Sequence, residues 1–174
     1  MSALFKLFFS IAILGKGPQD VPYSRFLFVA LLVALFIGDL VSNQLLATSG
    51  EQLDMQKLVL FLVLANVIVY GLTYLLVYVH GFPNRAIQTM TALLGVELII
   101  MCAQLPIFIL LPLFGQNKGI LVLLYYITMG WELVANVHIY RHALEISAVR
   151  AALITLVLFS LQIFLVIKFF PEGG

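Results

Sequence analysis

"YYITMGWELVANVHIYRHALEIS", residues 125–147, begins as an apolar stretch suited to the interior of a lipid bilayer. Glu132 and Asn136 interrupt it four residues apart, and two histidines and Arg141 follow. A carboxylate is costly in lipid, and helical residues four apart lie on one face. The stretch therefore predicts a membrane-spanning helix whose Glu132 side turns toward other helices rather than toward acyl chains.

The composition of the whole chain agrees with that interpretation. Of its 174 residues, 63% are hydrophobic and only 10% are charged, whereas soluble domains carry about 25% charged residues. Mean hydropathy is +1.14, which indicates an integral membrane protein. The net charge of +1 gives no reason to expect a nucleic-acid partner. The single cysteine, Cys102, excludes an intrachain disulfide and is predicted to be a small buried hydrophobe.

Apolar runs predict the number of spans, because a spanning helix needs about 20 mostly apolar residues. The predicted spans are 25–46, 57–79, 87–111, 119–140 and 149–170, with short connections rich in turn formers or charges. The first 15 residues are too short to span and lack a cleavage site, so they predict an interfacial helix with Lys6 toward the headgroups. The expected fold is an all-α polytopic membrane bundle. Its parts are 1–24, an interfacial amphipathic helix and linker, and 25–174, a five-helix transmembrane domain.

The distribution of basic residues predicts the orientation. With a cytoplasmic N-terminus, six of the nine lysines and arginines lie inside, and Lys57, Lys118 and Lys168 lie outside. We therefore expect the N-terminus inside and the C-terminus outside, in a bacterial inner membrane.

Each predicted span carries one polar face. These faces define an intramembrane polar seam consisting of Asp39, Asn66, Glu97, Gln104, Glu132, Asn136 and Gln162. A rise of about 1.5 Å per residue staggers these groups in depth across the bilayer. In lipid such faces turn toward one another.

The seam has three interpretations. As structural glue, its neutral acids donate hydrogen bonds to Asn66, Gln104 and Asn136, and replacing Glu132 by leucine loosens the bundle by about 1 kcal/mol. As a proton or ion relay, its carboxyls carry the conducted charge. As a partner-binding seam, it contacts another membrane protein. A buried carboxyl must stay neutral or find a partner, which makes acids costly as glue alone.

The residues after Asn136 offer few further sites. His138 and His142 lie four apart and are weak candidates for a metal site, although no third ligand accompanies them in the sequence. Arg141 and Glu145 have the spacing of a surface ion pair. Trp131 is expected to pack within the bundle.

Catalytic motifs are absent from the sequence. It has no G-x-S-x-G, no H-E-x-x-H, no P-loop and no G-x-G-x-x-G pattern. It also has no cluster of arginines and lysines suited to a lipid diphosphate or a nucleotide. We expect a non-enzymatic protein without a cofactor.

Several stretches resemble the Yip1-type membrane family. They are "LFKLFFSIAILGKGPQDVPYS", "RAIQTMTALLGVELII" and "WELVANVHIYRHALEISAVRAALITLV". The resemblance implies a bundle of five closely spaced helices after a short cytoplasmic lead. In eukaryotic relatives it implies contact with small GTPases and a role in vesicle traffic. Those relatives place a long polar cytoplasmic domain before the helices, which this sequence lacks, so a bacterial role without GTPase binding is expected.

The sequence therefore favours an accessory or scaffolding subunit that contacts the lipid bilayer and other membrane proteins. The alternative is a small transporter or a proton- or ion-conducting protein that uses the intramembrane acids.

Overall fold

The computed structural model describes residues 2–46, 54–111, 113–114 and 118–170. Within these ranges the secondary structure is helical. The helices are α1 (Ser2–Ala12), α2 (Arg25–Leu46), α3 (Met55–Val79), α4 (Ala86–Leu110), α5 (Gly119–Leu144) and α6 (Ala148–Phe169), with 3₁₀ turns at Pro18–Asp20 and Pro83–Arg85.

The helices α2 to α6 are each long and apolar enough to cross a bilayer. Their outer surfaces are apolar: Val67, Ile127 and Val157 leave 64%, 57% and 67% of their surface exposed. Such faces suit acyl chains, whereas the polar groups of the same helices turn inward. The predicted all-α membrane bundle of five long helices with a short helix before them is confirmed.

Local chemistry explains where several helices begin and end. Asp54 caps α3 by accepting hydrogen bonds from the Gln56 and Lys57 backbone N–H groups, both at 3.1 Å. Gly81 follows α3 with φ +86°, a conformation that glycine adopts without strain. Glu145 ends α5 in the left-handed region at φ 55°. Ser147 then caps α6, so the three residues 145–147 suffice to reverse the chain.

Helix α4 is the central element of the bundle, since it packs against α1, α2, α3 and α5. Helix α1 docks on it through Phe8, whose ring lies where a side chain at Gly95 would otherwise project. Phe8, Ile11 and the linker residue Val21 are almost fully buried. They belong to one hydrophobic cluster with residues of α3 to α6, among them Val77, Ala86, Met90, Val96, Ile139, Leu144 and Ala151. Helix α1 is thus docked against the bundle, while Phe5, Lys6, Phe9 and Ile13 stay exposed on its other face.

Side chains of the bundle also contact backbone carbonyl groups at the end of α1 and in the linker that follows it. Trp131 Nε1 donates to the Ala12 carbonyl at 2.8 Å, and Gln88 Nε2 donates to the Val21 carbonyl at 2.7 Å. His138 Nε2 lies 3.0 Å from the Lys16 carbonyl oxygen. Trp131 of α5 thus contacts the end of α1, although it leaves 44% of its surface exposed.

Two predictions about single residues are wrong. Cys102 is exposed on the outer surface of α4 rather than buried, because the sequence pattern does not show which of the apolar faces of α4 is covered. Glu145 pairs with Arg85 at 2.7 Å rather than with Arg141. The reason is that α5 ends at Leu144, so the left-handed Glu145 no longer lies on the helix face of Arg141.

Candidate functional site

A cavity of about 370 Å³ lies at the centre of the bundle, lined by all five long helices. Its lining on α5 runs from Tyr125 to Tyr140, which corresponds to about 22 Å along the helix axis. That length is most of the roughly 30 Å hydrocarbon core of a bilayer. The cavity is therefore an interior space that follows the membrane normal for much of the bundle.

Three acids from three helices face this cavity: Asp39 of α2, Glu97 of α4 and Glu132 of α5. Because they line one cavity, their charges would repel one another if all three were ionised. Among the described residues, the lining contains no lysine, arginine or histidine. These lining residues therefore offer no basic side chain that would balance the negative charge of the ionised acids.

Four other polar seam residues were predicted, and the structure places three of them in the same cavity. Asn66, Asn136 and Gln162 line it, whereas Gln104 does not. Gln104 Nε2 instead donates to the Thr128 hydroxyl at 3.0 Å, which joins α4 to α5.

The acid–amide hydrogen bonds expected of structural glue do not form among the described residues. Asn66 Nδ2 donates to the Leu62 carbonyl of its own helix at 2.8 Å, as an amide one turn away can. Glu97 instead accepts a hydrogen bond from the Tyr70 hydroxyl at 3.0 Å. In the described part of the chain, Glu132 has no hydrogen-bond partner.

A buried polar contact lies at one end of the cavity, where Tyr140 is the last lining residue of α5. The Tyr140 hydroxyl and Thr73 Oγ1 are 2.7 Å apart, and Thr73 also donates to the Val69 carbonyl at 2.8 Å. Tyr140 also belongs to the hydrophobic cluster that holds α1. The contact therefore joins the lining of the cavity to that cluster.

Aromatic side chains also line the cavity, beside the predicted seam residues. The rings that line the cavity are those of Phe61, Tyr70, Tyr125, Tyr140 and Phe159. Helical spacing contains a signal for three of them. Tyr70 is four residues after Asn66, Tyr125 is seven before Glu132, and Tyr140 is four after Asn136. The site thus combines carboxyl groups with aromatic rings.

The weak metal candidates lie outside the cavity. The His138 and His142 rings are neighbours, with centroids 4.4 Å apart. Over the described ranges, no group of three or more histidine, cysteine, aspartate or glutamate side chains is arranged to hold a metal ion. The two histidines instead lie beside the linker, where His138 contacts the Lys16 carbonyl.

Comparison of the chain with protein-family models, curated proteins and solved structures finds no match.

Proposed function

We propose that this integral membrane protein is a non-enzymatic carrier that binds a small organic cation in its central cavity and moves it across the bilayer. The observation that supports this most is the set of three carboxyl groups, Asp39, Glu97 and Glu132, in a lining whose described residues include no basic side chain. Intramembrane acids commonly mark the paths of ions and protons.

Electrostatics favours a cationic ligand over a neutral or anionic one. A unit positive charge about 5 Å from one carboxylate gains about 3 kcal/mol at an effective dielectric constant of about 20. The carboxyls can otherwise remain inside the membrane only in the neutral, protonated form. Cation and proton therefore compete for the same groups, so binding of the cation weakens as the pH falls.

The aromatic lining favours an organic cation over a chelated metal ion. A cation over an aromatic face gains about 0.5–2 kcal/mol, and the cavity is lined by the aromatic residues Phe61, Tyr70, Tyr125 and Phe159. The acids do not form a group arranged to chelate one metal ion. A cavity of about 370 Å³ lies within the range of small-molecule sites.

Reconstitution into liposomes tests this function. Uptake of radiolabelled tetraethylammonium should be saturable, should exceed uptake by protein-free liposomes, and should be faster when the interior is acidic. Sodium uptake, measured in parallel, tests whether the cavity serves inorganic cations instead. Uptake of neither cation above the protein-free level would contradict the carrier function.

A second candidate function of these acids is to conduct protons. The hydrogen bond from the Tyr70 hydroxyl to Glu97 supports it, because the hydroxyl proton can exchange. Proteoliposomes with an internal pH dye distinguish the two functions. A carrier moves protons only when tetraethylammonium is present, whereas a proton conductor dissipates a pH gradient without it.

We also propose the orientation that the sequence predicts, with the N-terminus inside and the C-terminus outside. With Cys102 replaced by alanine, Lys118→Cys should react with an impermeant maleimide added outside intact cells. Asn84→Cys, in the exposed turn between α3 and α4, should react only after the membrane is opened. Reaction of both from the same side would refute the five-span orientation with the N-terminus inside.

The similarity to the Yip1-type family, the bacterial inner-membrane location and the association with other membrane proteins stay predictions. A pull-down in mild detergent from native membranes tests the association. An accessory subunit should be recovered with a stoichiometric partner, whereas a carrier can function alone in liposomes.

A further inference from the structure

A basic groove lies at the end of the bundle that carries α1, separate from the central cavity. Its volume is about 400 Å³, and it is lined by Gln19, Arg85, Arg141, His142, Glu145 and Ile146. These residues come from the linker, the turn before α4, the last turn of α5 and the turn after it. The fold thus assembles two arginines that the sequence separates widely.

Arg85 is held in place by two contacts. Its Nη1 donates to Glu145 Oε1 at 2.7 Å, and its guanidinium lies 4.4 Å from the centre of the Phe82 ring. A guanidinium carries five N–H donors in a planar fork, so one bond to Glu145 leaves donors for a second anion. Arg85 is therefore oriented in advance, which reduces the entropy cost of binding.

Other lining residues of the groove supply further donors. Arg141 is exposed in the last turn of α5, and His142 is beside it. A smaller pocket shares Gln19, Arg85 and His142 with the groove and extends it toward Thr89. Two arginines against one glutamate leave the groove with excess positive charge.

We propose that this groove binds a phosphate-bearing anion. Arginine forks match phosphate oxygens in bidentate geometry, and two of them here converge on one space. The groove lies where α5 ends and α4 begins, the depth at which lipid headgroups meet a spanning helix. The phosphate belongs either to an anionic lipid or to a soluble molecule, and the chemistry of recognition is the same.

Native mass spectrometry of the detergent-purified protein tests the proposal. We expect phosphatidylglycerol to bind more tightly than phosphatidylcholine, or inorganic phosphate to bind measurably by calorimetry. Arg141→Gln should weaken this binding roughly tenfold, because it removes charge-assisted hydrogen bonds. Arg150→Gln is the matched control, since Arg150 is exposed in the first turn of α6 but does not line the groove.

A second pair of variants separates binding from stability. Arg85→Gln and Glu145→Gln both break the same ion pair. If Arg85 binds phosphate, Arg85→Gln weakens binding roughly tenfold. Glu145→Gln retains or strengthens binding, because it removes a competing carboxylate while the Phe82 ring still orients the guanidinium. Equal losses in the two variants would show that Arg85 only holds the turn together, and would overturn its role.

The two sources of phosphate give different results. Preference for phosphatidylglycerol that inorganic phosphate does not displace supports a lipid headgroup, and phosphate binding without lipid preference supports a soluble ligand. Absence of both, or an equal loss in Arg150→Gln, would overturn the proposal.

Discussion

Replacing Glu132 by glutamine or by leucine separates its role in binding from any role in stability. Glutamine keeps the shape of the side chain and removes its charge, whereas leucine also removes its polarity. Glu132 lines the cavity and, in the described part of the chain, makes no hydrogen bond. We therefore expect both variants to fold, with free energies of unfolding within about 0.5 kcal/mol of wild type.

The effect on ligand binding should be much larger. Removing one carboxylate about 5 Å from a bound cation forfeits about 3 kcal/mol at an effective dielectric constant of about 20. That energy corresponds to a loss of about a hundredfold in affinity. Glu145→Gln is the matched control, because it removes a carboxylate that lies outside the cavity and should leave cation affinity unchanged.

The assay is equilibrium binding of radiolabelled tetraethylammonium to detergent-solubilised protein, paired with chemical unfolding of the same samples. Unchanged affinity in Glu132→Gln would refute the role of this carboxyl in binding. Stability that is preserved in Glu132→Gln but lowered by more than about 1 kcal/mol in Glu132→Leu would instead identify Glu132 as structural glue.

Two further predictions concern packing. Tyr70→Phe removes the hydrogen bond to Glu97 and should lower the free energy of unfolding by about 0.6–1.7 kcal/mol. The control Tyr74→Phe, at an exposed position on the same helix, should leave it unchanged. Equal effects of the two variants in chemical unfolding would refute the importance of that bond. Gly95→Leu should displace the Phe8 ring at a cost of about 1–3 kcal/mol and undock α1. The fluorescence of Trp131, the sole tryptophan, reports the undocking of α1, because undocking breaks its hydrogen bond to the end of α1. The control Gly71→Leu places a side chain in open space and should leave the spectrum unchanged. A wild-type spectrum in Gly95→Leu would contradict the docking.

The sequence predicts the long helices well, because the length and apolarity of a spanning helix are local properties. The helix that contains Glu132 was predicted to end at residue 140 but continues to Leu144. Cationic side chains such as Arg141 are favourable in the last turn of a helix. The first charged residue after an apolar run therefore indicates where the span leaves the membrane. It does not indicate where the helix ends.

The meeting of polar faces depends on how the helices are rotated and is less predictable. Spacing placed Glu132 and Asn136 on one face, and both line the cavity. Gln104 is spaced equally well from Glu97, yet it contacts Thr128 outside the cavity. The bond between Arg85 and Glu145 joins residues 60 positions apart. Such contacts follow from tertiary packing, which the spacing within one helix does not encode.

The most direct measurement locates the cation itself. Crystals grown with tetraethylarsonium, a heavier analogue of tetraethylammonium, provide an anomalous signal from arsenic. We predict a single dominant peak inside the central cavity, between Asp39, Glu97 and Glu132 and against the ring of Tyr70 or Tyr125. Arsenic found only on the outer surface of the bundle, with the cavity free of it at saturating concentration, would contradict cation binding by the intramembrane acids.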